Sequence, residues 1–278
     1  MIDLRPLLAQ PGRNDLDIEL RALPGHRIIV RSARPMHCTP QTPILFVHHG
    51  VLRNGADYRD YWLPLVDEAD LLVIAAEFPV EAFPGAPWYN FGNRTAQDGT
   101  PKPMPEWTYG LDEQVFDALR SQTLTARPGY GVWGHSAGAQ FVHRMIALGL
   151  RGKVLAAVSA NAGTYAMPTL DVAYPFGLGG TGLTDDDLRR LLGFRLTVMA
   201  GTADMDTTSE HFPRDKAAMA QGPTRFARAH LFIANARAQA ARLGLHCAWT
   251  IVDVAGVGHD GERMSRAAAP ILSAALHA

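Results

Sequence analysis

One run of nine residues constrains this chain more than any other: Gly131-Val132-Trp133-Gly134-His135-Ser136-Ala137-Gly138-Ala139. It contains Gly-x-Ser-x-Gly between a short apolar stretch, 130–133, and a stretch, 139–150, in which Phe141, Val142, Met145, Ile146, Leu148 and Leu150 recur near helical spacing. A serine at a sharp strand-to-helix turn is held in a strained backbone with its Oγ exposed at the strand end. Glycine is required on both sides because a side chain there meets the neighbouring strand or helix. The context predicts a nucleophilic serine at Ser136; the alternative is a tight turn carrying an idle one.

The rest of the chain fits a fold built around such a turn. Apolar strand-like runs at 26–31, 44–48, 71–77, 129–133, 154–160, 196–200 and 247–254 alternate with helical patterns at 57–68, 109–123, 139–150, 184–192, 224–243 and 261–276. That alternation predicts an α/β fold with a mostly parallel sheet and helices on both faces. With 278 residues, 47% of them hydrophobic, the chain can bury a large core, and one domain over 1–278 is expected. Two segments break the alternation. Residues 79–106 are rich in Pro, Gly, Asn and aromatics and predict an irregular excursion near the sheet end. Residues 163–193 lie between two strands, where a small cap or lid segment is expected.

Composition excludes several classes. A net charge of −1 and the absence of any Lys/Arg block argue against a nucleic-acid partner. No apolar run approaches the roughly 20 residues that span a bilayer. Residues 1–13 lack the pattern of a signal peptide, so a cytoplasmic location is expected. Cys38 and Cys247 lie far apart and suggest neither metal nor redox work. Oligomeric state is left open.

A serine hydroxyl needs a base to take its proton, and the base needs a group that orients it and stabilises its charged form. Asp204 ends Leu196-Thr197-Val198-Met199-Ala200-Gly201-Thr202-Ala203-Asp204, a strand and a small-residue turn. A carboxylate there lies just beyond a strand's C-terminal edge, where open α/β sheets build their sites. Asp206 is the competitor, and either residue can instead cap a turn. The candidate base is His259, in Gly256-Val257-Gly258-His259-Asp260 after the last predicted strand. His211, His230, His246 and His277 are less well placed. The order Ser, Asp, His is the one such folds use.

A tetrahedral intermediate also needs donors for its oxyanion. The backbone N–H of Ala137 is the first expectation, and that of Val51, in His48-His49-Gly50-Val51-Leu52-Arg53-Asn54, the second, with Leu52 as the alternative. The paired histidines do not predict a metal site, because adjacent strand positions point to opposite faces. No cofactor is required by this chemistry.

Taken together, the His-Gly loop, the Gly-His-Ser-Ala-Gly turn, Gly-Thr-Ala-Asp and Gly-His resemble the α/β-hydrolase superfamily over nearly the whole chain. Within it, 47–54 followed by Tyr58-Arg59-Asp60 is similar to bacterial polyhydroxybutyrate-depolymerase-like serine esterases. The resemblance implies hydrolysis of carboxylic esters through an acyl-enzyme. Secreted polymer depolymerases carry a signal peptide and extra binding modules, so a small soluble ester or a short hydroxyacyl oligomer is the expected substrate here. Amide or peptide hydrolysis by the same three residues is the alternative. A binding protein without catalysis is another, although it would lack one of the three.

For the substrate, the aromatic cluster Trp88-Tyr89-Asn90-Phe91 is expected above the sheet edge, with Trp88 and Tyr89 lining a pocket and Asn90 as polar anchor. Arg53 and Asn54, beside the oxyanion loop, and His135, beside the serine, complete the candidate contacts. The aromatic cluster has an alternative use in pinning a long loop, and Arg53 in pairing with a nearby acid such as Asp57.

Overall fold

The computed structural model describes residues 2–148 and 152–278. One sheet runs through it, with eight strands among the described residues: β1 (Gly12–Glu19), β2 (Arg27–Arg34), β3 (Ile44–His48), β4 (Leu72–Glu77), β5 (Tyr130–His135), β6 (Val154–Ala160), β7 (Leu196–Gly201) and β8 (Thr250–Val254). Their spatial order is β1-β2-β4-β3-β5-β6-β7-β8. β1 and β2 pair antiparallel at one edge, and β2 pairs antiparallel with β4. All pairs from β4 to β8 are parallel.

The parallel part forms because its strands read as unbroken apolar runs. Ile44, Leu45, Phe46 and Val47 of β3 are each at most 1% exposed, as strands covered on both faces must be. Successive side chains leave the sheet on opposite sides. Leu45, Val47 and Trp133 pack with Tyr58 and Trp62 of α1 (Gly55–Trp62) and with Met264 and Leu272 of the C-terminal helix, Gly261–His277. Ile44, Phe46 and Val132 face the other way, toward residues such as Phe116, Phe141 and Phe232.

The predicted helix over 57–68 is broken. α1 ends at Trp62, a 3-10 turn follows at Leu63–Leu65, and α2 is Val66–Ala69. Pro64 lies at the break, where its missing N–H removes a helical bond. Segment 79–106 is irregular apart from α3 (Gly85–Trp88) and a 3-10 turn at Met104–Glu106. α4 (Leu111–Ser121) and α5 (Ala137–Ala147) are close to their predicted positions. Gly149 and Leu150, the end of the predicted helix over 139–150, lie outside the described residues.

Segment 163–193 folds back on α5. Fully buried Arg144 donates from Nε and Nη2 to the Pro175 carbonyl (3.2 and 3.0 Å) and from Nη2 to Thr164 Oγ1 (3.2 Å). α6 (Asp185–Leu192) follows, started by a capping box between Thr184 and Asp187. After β7 come α7 (Lys216–Ala220) and α8 (Arg225–Arg242), and α9 (Gly261–His277) closes the chain. No described helix is long and apolar enough to cross a membrane.

From β3 the chain moves outward to β4 and then returns to place β5 on β3's other side. A crevice opens where strand order reverses, at the C-terminal ends of β3 and β5. Two glycines let backbone close in at that point. A Cβ on Gly138 would lie 2.1 Å from the His48 carbonyl oxygen, and one on Gly134 would lie 2.2 Å from that of Gly138. Gly138→Ala should therefore cost about 3 kcal/mol of stability or more, read as a lower urea midpoint. An unchanged midpoint would mean that α5 does not press on β3.

Candidate active site

Ser136 connects β5 to α5 with φ 58° and ψ −114°. Its N–H donates to the Ala160 carbonyl at the end of β6 (3.0 Å), and its carbonyl accepts from Gln140 N (3.2 Å). Neighbouring elements therefore hold a backbone geometry that costs on the order of 1–3 kcal/mol for a non-glycine residue.

Asp204 and His259 come to this serine from two other strand ends. His259 Nε2 lies 2.9 Å from Ser136 Oγ, and His259 Nδ1 lies 2.8 Å from Asp204 Oδ2. Asp204 is 1% exposed. Asp206 is exposed and accepts from the N–H and hydroxyl of Thr208, both at 2.7 Å. Between the two acids weighed from the sequence, only Asp204 meets the histidine. Of the other histidines, His230 pairs with Asp253 (2.9 Å), and His277 meets the Asp70 carbonyl (3.3 Å).

Asn161, at the end of β6, fixes the spacing of the two loops. Its Nδ2 donates to the Gly258 carbonyl (3.0 Å), beside His259, while its Oδ1 accepts from Gly201 N (2.8 Å), three residues before Asp204. Nothing in the sequence marks this residue, which opens an ordinary Asn-Ala-Gly after an alanine-rich strand.

His135 is a nearly buried part of the wall of the site. Its Nδ1 accepts from the Tyr58 hydroxyl (2.8 Å), and its ring centroid lies 4.6 Å from that of His259. Burial first, and then the nearby charges of His259 and Arg225, hold it well below the usual imidazole range. A neutral ring is thus packed against His259, and it also lines the cleft beside Ser136, where a substrate contact was expected of it. His49 is held down to about 3, chiefly by burial. It donates from Nδ1 to the Gly50 carbonyl (2.9 Å) and accepts at Nε2 from Phe78 N (3.2 Å). His48 turns to Asp112 (2.8 Å), away from His49's partners.

The loop after β3 is held by residues that the sequence assigned to substrate. Arg53 (φ 61°) donates to the carbonyls of Phe78, Phe83 and Gly85, and its guanidinium lies 4.3 Å from the centre of the Tyr89 ring. Tyr89 is fully buried and donates to the His49 carbonyl (2.8 Å). Trp88 stacks on His26 (4.9 Å) beneath the Lys102 ammonium. Trp88 and Tyr89 thus take up the loop-pinning use weighed for the aromatic cluster, and Arg53 is held by backbone carbonyls, while Asp57, the acid weighed as its partner, accepts from Asn54. Asn90 does reach the cleft. Asn54 lines it too, with its amide donating to Asp57 Oδ2 (2.7 Å).

The cleft has two lobes of about 200 and 220 Å³ that meet at Ser136. Val51, His211 and Arg225 line both. Ala137 lines one, along with Phe91, Gln140, Thr164 and Phe176, so segment 163–193 supplies part of its wall. Among the described residues, neither the Val51 nor the Ala137 amide has a hydrogen-bond acceptor. Larger hollows elsewhere, such as one beside Leu65 and Pro270, contain no such constellation.

No protein-family model matches the chain, and neither does any protein with a curated description. Solved structures do. A poly(3-hydroxybutyrate) depolymerase, LpqC from Bordetella parapertussis, is 38% identical, with 95% of this chain and 90% of that one covered and a TM-score of 0.91. Poly(aspartic acid) hydrolase-1 from Sphingomonas sp. KT-1 is 35% identical, with 95% and 99% covered and a TM-score of 0.89. An S-formylglutathione hydrolase from Agrobacterium tumefaciens, at 14% identity and a TM-score of 0.57, shares the fold. Sheet order, turn and likenesses together define a hydrolase of the α/β-hydrolase fold. The chain belongs to the α/β-hydrolase superfamily, in the family that includes the Bordetella depolymerase and the Sphingomonas hydrolase.

Acid should loosen this core in a defined window. His49, His135 and His143 are all buried with protonation disfavoured. Below pH 6.5 the unfolded chain binds protons at these residues while the folded chain does not. Stability therefore falls as pH drops from about 6.5 toward 4, each histidine adding a slope of about 1.4 kcal/mol per pH unit. Urea midpoints between pH 7 and 4.5 should show this slope, and His143→Gln should flatten it by about a third.

Proposed function

We propose that this chain is a serine hydrolase of carboxylic esters, working through an acyl-enzyme on small esters or short hydroxyacyl oligomers. The observation that carries the reading is the continuous run from Ser136 Oγ through both ring nitrogens of His259 to buried Asp204. In this reading Ser136 attacks the acyl carbonyl as His259 Nε2 takes its proton. Asp204 accepts from Nδ1–H, which sets the tautomer and stabilises the imidazolium. The tetrahedral oxyanion is received by the N–H groups of Ala137 and Val51. His259 then protonates the leaving alcohol, and water repeats the sequence to release the acid.

Substrate size follows from the lobes. Each, at about 200 Å³, is smaller than the 300–1,000 Å³ typical of a whole drug-sized site. A unit of a few heavy atoms on each side of the scissile bond fits that space, and the name of the Bordetella relative agrees with an ester bond.

A specific observation supports a second reading. The Sphingomonas relative is named for poly(aspartic acid), a polymer joined by amide bonds. Matched ester and amide substrates separate the two: faster turnover of the amide under equal conditions would replace the ester reading.

A fluorophosphonate should label Ser136, seen as a mass shift on its peptide, and His259→Ala should remove the labelling. Ser136→Ala should lower kcat/KM by about 10⁴-fold or more. Retention of most turnover in Ser136→Ala would defeat the assignment.

A further inference from the structure

Four buried arginines lie in the elements that build the cleft, and in three of them both terminal nitrogens donate to protein acceptors. Arg228 uses all three nitrogens, donating to the carbonyls of Gly222 (3.0 Å), Gly163 (2.6 Å) and Pro213 (2.9 Å). Arg144 donates from all three of its own, and Arg53 donates from both terminal nitrogens to carbonyls. Arg225, one helical turn before Arg228, differs. It is 3% exposed and its guanidinium lies 5.1 Å from the centre of the Phe212 ring, yet only Nη1 makes hydrogen bonds, and both are long: 3.5 Å to Asp204 Oδ1 and 3.4 Å to the Asp206 carbonyl. Its Nε is buried with no partner, and its hydrogen bonds to the described residues leave Nη2 unused. A planar guanidinium offers five N–H donors suited to a two-pronged grip on a carboxylate. Leaving most of them unused in a buried position is costly unless something else fills them.

That something has a place to come from. Arg225 is one of the few residues lining both lobes, so it lies at the boundary where the scissile bond would be. Its hold on Asp204 alone does not explain the arrangement. A residue kept only to orient Asp204 would make a short, paired contact, as Arg31 does with both oxygens of Glu77 (3.0 and 3.1 Å).

We propose that Arg225 is a carboxylate-recognition residue, selecting substrates that carry an anionic carboxylate on a unit adjoining the scissile carbonyl. The inference rests on the hydrolase reading above and narrows its substrate class. Two sources share this chemistry: a carboxylate on the acyl side, as in a dicarboxylic half-ester or an aspartyl unit, and the free acid end of a short hydroxyacyl chain on the leaving-group side. Asp215 also lines one lobe, but its Oδ1 is turned to the N–H groups of Ala217 and Ala218.

The test compares monoethyl succinate with ethyl butyrate, which differ by a carboxylate in place of a methyl group, and adds the linear dimer of 3-hydroxybutyrate and its methyl ester for the other side. The wild type should favour the acid member of at least one pair by tenfold or more in kcat/KM. In Arg225→Met that ratio should fall toward one, and Arg225→Lys should keep part of it. Reading the ratio separates recognition from any loss that both members share through Asp204. Whichever pair responds identifies the side of the bond that bears the carboxylate. A ratio equal in wild type and Arg225→Met overturns the proposal and leaves Arg225 as a positioning residue for Asp204.

Calorimetric titration of monoethyl succinate and of the dimer acid into Ser136→Ala and Ser136→Ala/Arg225→Met separates this failure from that of the hydrolase reading. Binding of either acid at least tenfold weaker in the double variant supports carboxylate recognition even if no ester is turned over. Equal binding of both rejects it even if ester hydrolysis is confirmed.

Discussion

The site depends on one close approach, that of the first turn of α5 to the end of β3. Gly138 lies so near the His48 carbonyl that no side chain fits between them. That proximity brings the Ser136 turn alongside the loop bearing Val51. The same packing forces the serine backbone out of its ordinary conformations, and the bond to Ala160 together with the start of α5 keeps it there. Strain of this kind persists only where surrounding structure over-determines it. Here that structure is the middle of the sheet.

Around the turn, polar groups are arranged so that each buried imidazole has a defined proton. His49 must remain neutral to accept from Phe78 while donating to Gly50. His143 repeats this, donating to Ala139 and accepting from Ala166, which links α5 to segment 163–193. His135 accepts a hydrogen bond from Tyr58 and offers His259 an uncharged neighbour. A second cation in that position would oppose the imidazolium required in the proposed reaction, so burial of a neutral ring suits it electrostatically.

Most of this architecture was legible because parallel strands are buried on both faces and read as continuous apolar runs. β3 and β6 occupy their expected residues, and the other parallel strands differ only at their ends. β1 escaped notice because Arg13, Asn14, Asp15 and Asp17 make it look like a loop. It is an edge strand whose charges pair laterally, Asp17 with Arg27 and Asp15 with Arg31. That Ser136, Asp204 and His259 would meet was legible from chain order and turn residues. The substrate contacts were less so. Sequence proximity to the oxyanion loop suggested Arg53, Trp88 and Tyr89, but proximity does not say whether a side chain faces the cleft or the loop's own carbonyls. Arg225 and Asn161 carry no local signature, since their importance comes from elements far away in the chain.

The hydrogen bond between Ser136 and His259 joins residues 123 positions apart, and the one between His259 and Asp204 spans 55. The β1–β2 hairpin, by contrast, is local in the chain. Contacts of such unequal range form at very different entropic cost during folding. The hairpin and the α5 turn can organise from nearby sequence, but the three residues meet only after β8 has docked on β7. An emerging or partly unfolded chain thus carries Ser136 without its two partners, and under the proposed mechanism reactivity at that atom would report completion of the whole sheet.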